Sequence, residues 1–176
     1  GKSTSGDIFI TVDVGRLDRA KKMDLLHKID IRSIKNKISP NYIDKDYKWV
    51  GLTKRIRTII YSKKNVNKND ISAFEDLVKD NWKNRICVRS SNNIYNQSLV
   101  ASLIANHGEK KAEKIVKQIV NNFARKPSGN DQSQIIAVAK NECDIAIVNH
   151  YYYAMMLNSK DEAKRKFADQ VDILFL

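Results

Sequence analysis

Tyrosine is the residue type whose placement in this chain could do chemistry. The stretch CDIAIVNHYYYAMML (143–157) puts three phenols in succession, Tyr151, Tyr152 and Tyr153, beside a histidine and an asparagine. A lone phenol, Tyr95, stands in similar surroundings in CVRSSNNIYNQSLVASLIA (87–105). Phenol ionises near pH ~10, so a phenolate at neutral pH needs a strong positive charge beside it. A trivalent metal ion supplies that charge, because hard cations prefer oxygen donors and bound ligands give up their protons. Iron–phenolate ligation has precedent. The competing reading of any single tyrosine is ordinary packing with one wet end.

The two stretches share a spacing. Cys87 precedes Tyr95 by eight residues, and Cys143 precedes Tyr151 by eight. In each, a short strand begins near the cysteine and a helix begins at the tyrosine. If the strands lie in one parallel sheet, both tyrosines emerge at the carboxyl edge, where such sheets bind ligands, and both cysteines lie at the opposite ends. Neighbouring strands would allow a Cys87–Cys143 disulfide, which needs Cα atoms ~4.4–6.8 Å apart; the spacing alone leaves one disulfide or two thiols open. At a helix N-terminus, ionised Tyr151 and Tyr152 would each gain on the order of 0.3–1 kcal/mol from the macrodipole.

Other candidates carry less. His107 and His150 are potential metal ligands or structural histidines. Arg55 and Arg57, two apart in TKRIR, face one side of a strand, where one could balance an anionic ligand or both could be solvated. Ser90, Ser91 and Asn92 form a polar turn that could offer donors to an anion or only connect strand to helix. The opening GKSTS resembles the tail of a phosphate-binding loop, but the first glycine is absent and a strand rather than a helix is expected next, so it reads as a polar loop. No Ser–His–Asp constellation and no carboxylate pair suited to hydrolysis is present, which argues against an enzyme.

The elements that must position these residues follow from periodicity and punctuation. DIFITVDVGRL (7–17) reads as a buried strand, followed by helical spacing through Leu17, Met23 and Leu26, then a loop around Pro40. KWVGLTKRIRTIIYSKK (48–64) holds two strand-like pieces. NKNDISAFEDLVKDNWKNR opens a short helix behind an Asp70 or Ser72 cap. RICVRS (85–90) is a strand; a helix follows that Gly108 ends, then EKKAEKIVKQIVNNFA and DQSQIIAVAKNE as helices. CDIAIV is a strand, YYYAMMLNS and DEAKRKFADQ are helices, and VDILFL is a last strand. Strands separated by helices predict an α/β protein with a largely parallel sheet.

Composition bounds the class. The chain has 176 residues, 42% hydrophobic and 30% charged, enough for a real core. No apolar run approaches the ~20 residues of a membrane span. The net charge of +12 raises nucleic-acid binding, but the basic residues are scattered among acids and no zinc-finger or RNP1-like pattern occurs. The polar start without Met and the apolar finish at VDILFL suggest a piece of a longer protein whose secretion signal would lie elsewhere.

The span from KNRICVRSSNNIYNQSLVAS through NFARKPSGND to NECDIAIVNHYYYAMML resembles the periplasmic ferric-ion-binding proteins, the solute-binding subunits of bacterial iron ABC importers, and DIFITVDVGRL and WVGLTKRIRTIIYSK resemble them too. The resemblance implies a two-lobed, type II periplasmic-binding-protein fold with hinge strands, incomplete here: residues 1–53 as the remainder of the first lobe, 54–62 as a hinge strand and 63–176 as the second lobe. It implies Fe(III) as cargo, Tyr95, Tyr151 and Tyr152 as donors, and Tyr153 as an extra phenol pointing elsewhere. It further implies Arg55 as charge balance or anion contact, with a synergistic anion such as carbonate. The implied partner is an inner-membrane ABC permease, the protein being a periplasmic monomer with no nucleic acid. The family's N-terminal SRHY-like segment, a further source of ligands, has no counterpart here, and His150 stands where relatives often carry a small hydroxylic residue. Two-lobed proteins for other solutes, such as polyamines, thiamine or phosphorylated compounds, and a basic nucleic-acid-binding domain are the rival readings.

Overall fold

Residues 59–61 and 145–148 are apolar at consecutive rather than alternate positions, and a strand of that kind needs cover on both faces. The computed structural model, which describes residues 6–176, provides that cover. The GKSTS segment lies outside the described residues. The chain divides into two units, the first ending at Lys54 and the second spanning Arg55–Leu176.

In the first unit, helix α1 (Val14–Lys22) starts where the Asp13 side chain accepts a hydrogen bond from the Gly15 N–H at 3.0 Å. Lys21, in its last turn, pairs with Asp44 and Asp46, each at 2.7 Å. The Asp44 carboxylate also accepts from the Asp46 and Lys48 N–H groups, which fastens the loop behind the Pro40–Tyr42 turn to the helix. The strand expected over 7–17 does not form. Residues 7–12 join no ladder, Ile8 and Ile10 are 81% and 82% exposed, and the chain turns into α1 at Asp13. A strand exists only through pairing of its backbone groups, and the described residues of this unit offer the segment no partner strand.

The second unit is built on one sheet. Strands β1 (Arg57–Ser62), β2 (Ile86–Val88), β3 (Ile145–Asn149) and β4 (Val171–Leu174) lie in the order β2-β3-β1-β4. β2 and β3 are parallel, while β1 runs antiparallel to both β3 and β4, so the sheet is mixed rather than largely parallel. Apolar periodicity reports which faces are buried; it carries no information on the direction of a non-local neighbour. The β2–β3 pair is parallel because three helices form the crossover between them: α2 (Ile94–His107), α3 (Glu109–Asn121) and α4 (Asp131–Ala139). Helix α2 ends at Gly108 with φ 78°, the left-handed backbone that glycine adopts without penalty. Helices α5 (His150–Leu157) and α6 (Glu162–Asp169) join β3 to β4.

Alternate residues of each strand feed two cores. Ile59, Ile86, Ile145 and Ile147 pack with Leu77, Trp82, Leu103, Ile115 and Ile119 on one side. Ile60, Ala146, Val148 and Val171 pack with Ile135, Val138, Met156 and Ala168 on the other. Two layers of helix thus sandwich the sheet, and the ends of its strands are the open places.

The short helix expected over the NKNDISAFEDLVKDNWKNR stretch is replaced by three 3₁₀ turns, Lys68–Asp70, Phe74–Val78 and Asp80–Trp82. Neither proposed cap acts as one. Asp76 instead reaches back to accept from the Ser72 N–H (2.7 Å), the Ser72 hydroxyl (2.8 Å) and the Ala73 N–H (3.1 Å). The buried Asn122 side chain donates to the carbonyls of Leu77 and Lys79. Local acceptors and a distant amide take up groups that an α-helix would have satisfied internally, so the tighter turns suffice.

Candidate metal centre

Two strand–helix junctions lie side by side because β2 and β3 are parallel neighbours, with Cys87 opposite Ala146 in the register. Cys87, in the middle of β2, and Cys143, two residues before β3, are joined by a disulfide with Cα atoms 5.9 Å apart. At the carboxyl ends each junction opens a helix. Asn93 caps α2 by accepting from the Tyr95 N–H at 2.9 Å. Asn149 precedes α5, and its side chain donates to the Tyr151 hydroxyl at 3.5 Å.

The phenols converge. The hydroxyl oxygens of Tyr95 and Tyr151 lie 3.2 Å apart, across 56 residues of sequence. The Tyr152 ring stacks on that of Tyr151, with centroids 4.4 Å apart and planes inclined by 33°. Tyr153 leaves the group: it is buried and donates to the Val171 carbonyl at 3.2 Å. All three remaining phenols are partly buried, so each keeps a face toward the outside of the sheet edge.

Their acidities diverge. Burial raises Tyr152, and its hydrogen bond with Tyr151 and the neighbouring negative charges add to this, so that it is pushed up to about 12. Burial and the Tyr151 hydroxyl raise Tyr95, against the opposing charges of Arg55 and Arg89. Burial also works against ionisation of Tyr151. There, however, hydrogen bonding with Tyr95, Asn149 and Tyr152, together with the Arg55 charge, outweighs it and leaves Tyr151 below the ordinary phenol range.

Cations surround the group. The exposed Arg55 guanidinium is 5.7 Å from the Tyr151 ring centre, and that of Arg89 is 5.5 Å from the Tyr95 ring centre. Arg55 precedes β1, which begins at Arg57. Arg57 turns inward to Asp131 at 2.8 Å, and also donates to the side chains of Asn96 at 2.6 Å and Asn149 at 3.3 Å. His150 does not join the phenols: its Nδ1 accepts from the Ile56 N–H at 3.1 Å, and its own N–H donates to the Ile56 carbonyl. His107 pairs with Glu75 on the far side of α2. The Ser90–Asn92 turn is closed by its own bonds, Ser90 accepting from the Asn92 and Asn93 N–H groups.

Sequence reasoning assigned no role to Asp131, Arg89, Asn96 or Asn149, and it weighed Arg57 only as an anion contact or a solvated residue, whereas Arg57 turns inward to Asp131. Asp131 is fully buried. Its only signal in the sequence is a helix-opening acid after GN in PSGND, which reads as macrodipole complementarity. Among the described residues no group of three or more His, Cys, Asp and Glu side chains is placed to hold a metal ion. Phenol oxygens are thus the donor set that the arrangement offers, and phenolates suit a hard, highly charged cation.

Comparison with known proteins bears on the same point. Iron uptake protein A2 of Synechocystis is 40% identical over 175 residues, covering 99% of this chain and 51% of that protein. Iron uptake protein A1 of the same organism is 39% identical, covering 99% of this chain and 49% of that protein. The chain therefore spans about half the length of the curated relatives it matches. Among solved structures, a Trichodesmium IdiA/FutA protein in complex with iron and citrate superimposes with a TM-score of 0.88 at 44% identity, over 91% of this chain and 51% of that one. Apo FutA2 from Synechocystis gives 0.94 at 40% identity, over 99% and 56%. This chain matches about half of each of these two-lobed binding proteins, and its α/β architecture is that of the matched part. Residues 3–173 match the family model directly. The chain belongs to the bacterial extracellular solute-binding protein family, a family of transport proteins rather than enzymes.

Proposed function

We propose that this chain is part of a periplasmic ferric-ion-binding protein that captures Fe(III) through the phenolates of Tyr95, Tyr151 and Tyr152 and delivers it to an inner-membrane ABC permease. The observation that carries the reading is the 3.2 Å approach of the Tyr95 and Tyr151 hydroxyls, with Tyr152 stacked beside them. Three phenolates offset a 3+ charge, and the phenol already lowered, Tyr151, is the natural first donor. The iron uptake and ferric-binding names of the relatives support the cargo. The Trichodesmium structure with iron and citrate supports an anion beside the ion. Arg55 is the residue proposed to face it, because its guanidinium is exposed and near Tyr151; carbonate or a carboxylate would suit that position.

The protein is proposed to work as a monomer without nucleic acid, its basic residues being a scattered surface. Residues 54–62 are proposed as a hinge strand, a reading supported by the division of the chain at Lys54 and the start of β1 at Arg57.

Adding ferric citrate to the purified protein tests the proposal. A visible phenolate-to-iron charge-transfer band should appear and should be strongly weakened in the Tyr95→Phe/Tyr151→Phe variant, which keeps only Tyr152. A band of unchanged intensity in that variant rejects the assigned donors; no band in the parent protein rejects the cargo.

A further inference from the structure

Beneath the phenols lies a carboxylate that touches none of them and yet holds both junctions. Asp131, 0% exposed, receives three donors from three parts of the chain. Arg57 at the start of β1 reaches Oδ2 at 2.8 Å, the Asn149 N–H reaches Oδ2 at 2.8 Å, and Arg89, one residue past β2, reaches Oδ1 at 3.1 Å. Asn149 is two residues before Tyr151, and Arg89 is six before Tyr95. The same arginine pair continues the grip. Arg57 donates to the Asn96 side chain at 2.6 Å, and the Asn96 amide donates to the Arg89 carbonyl at 2.8 Å, so the residue beside Tyr95 is fixed to the same hub.

We propose that Asp131 is a positioning residue for metal capture: it sets the separation of the Tyr95 and Tyr151 oxygens by clamping the two strand–helix junctions to one buried anion. The inference rests on the proposed iron site and adds to it the device that spaces the donors. Two features favour this over a merely stabilising ion pair. The donors belong to the ends of different strands rather than to one element, and the β2–β3 ladder stops at Val88 and Ile147, so Asp131 ties the junctions together beyond the last paired residues. The charge also matters: Asp131 is the counter-anion for both Arg57 and Arg89, two cations that would otherwise face an incoming trication uncompensated. Asparagine at this position keeps the shape, but it keeps one acceptor oxygen instead of two and loses the charge.

The test compares the parent protein, Asp131→Asn and Asn96→Ala, each titrated with ferric citrate and followed by its charge-transfer band and by electron paramagnetic resonance, with far-ultraviolet circular dichroism to establish folding. Asp131→Asn should shift the band maximum and weaken iron binding by about 10–100-fold, the usual effect of removing a group that orients metal ligands. Asn96→Ala should shift the band with a smaller loss. A purely structural role would lower the melting temperature and leave the spectrum of the bound iron unaltered. If both variants fold and keep the parent band, resonance signal and affinity, the proposal is overturned; should Asp131→Asn fail to fold, Asn96→Ala decides alone by the same criterion. Absence of any band in the parent protein would instead defeat the iron reading itself, so the two failures are distinct.

Discussion

Replacing Cys87 and Cys143 together by alanine separates what the disulfide does from what the phenol end of the sheet does. The bond closes a loop of 56 residues. The chain-entropy relation for a loop of that length gives about 4 kcal/mol at 25 °C, with measured values for native disulfides running from about 2 to 5. Both cysteines are buried, at 0% and 4% exposure, so little solvation is regained on truncation and the small voids left add to the loss. Unfolding in urea measures it. In a Trp49→Phe background the buried Trp82, in the core of the second unit, is the fluorescent reporter. The expected loss is about 2–4 kcal/mol, equivalent to roughly 10 °C in melting temperature. Because Cys87 lies within β2 and Cys143 ahead of β3, while the phenols lie beyond the carboxyl ends of both strands, the same variant should keep the charge-transfer maximum of bound iron. A loss under about 1 kcal/mol would refute the entropic reasoning. A shifted band would refute the claim that the phenol spacing is set locally rather than by the cross-link.

Three further outcomes follow from individual side chains. Asp76 is held well below the usual carboxylate range by Lys79 first and then by the Ser72 donors; its contribution is present above pH ~4 and is lost as acid protonates it, so Asp76→Asn should cost about 1–2 kcal/mol at pH 7 and much less near pH ~2 in urea titrations. Tyr61 is raised by burial and by the Asp172 carboxylate, to which it donates at 3.3 Å. Its neutral phenol stabilises the fold below pH ~10, and this contribution fades as pH rises through the folded value, so Tyr61→Phe should show a shallower alkaline fall in unfolding midpoint than the parent. Gly129 has φ 67°, and a Cβ there would collide with the Ser133 hydroxyl that closes the capping box at the start of α4; Gly129→Ala should lose more than about 1 kcal/mol in thermal melts.

How much of this the sequence discloses depends on the range of the interaction. The two strand-to-helix units are legible because strand and helix patterns are local, but the equal spacing from Cys87 to Tyr95 and from Cys143 to Tyr151 is not a register equivalence, since Cys87 lies opposite Ala146, three residues past Cys143. Gly108 is legible as a helix stop because its conformation is local. The place of β1 between β3 and β4 is not, because apolar patterning is indifferent to strand direction. Residues 7–12 look like a strand, since their apolar run is what a strand needs, but no residue in the run encodes a partner. Asp131 is hidden for the same reason. Its donors are 18, 42 and 74 residues away, and an acid in the first turn of a helix has an adequate local explanation.

The arrangement also accounts for why phenols, rather than carboxylates, stand at this edge. Asp131 is the carboxylate beneath the site, and it is already shared by Arg57 and Arg89. With Arg55 added, the surroundings of the three phenols are cationic while they remain protonated. On the proposed reading, a site of that sign would repel a free cation and would admit one only if the ion itself created the compensating charge by displacing phenolic protons. The work of ionising Tyr95 and Tyr152, both held above their ordinary range, has to come from the ion. A trivalent hard cation attracts an oxygen anion more strongly than a divalent one of similar size, in proportion to its charge. Under the proposed iron reading, the raised phenols and the arginines would act together as a threshold on charge: protonated tyrosines would leave the site closed to weakly polarising cations, and three ionised tyrosines would offset the charge of Fe(III).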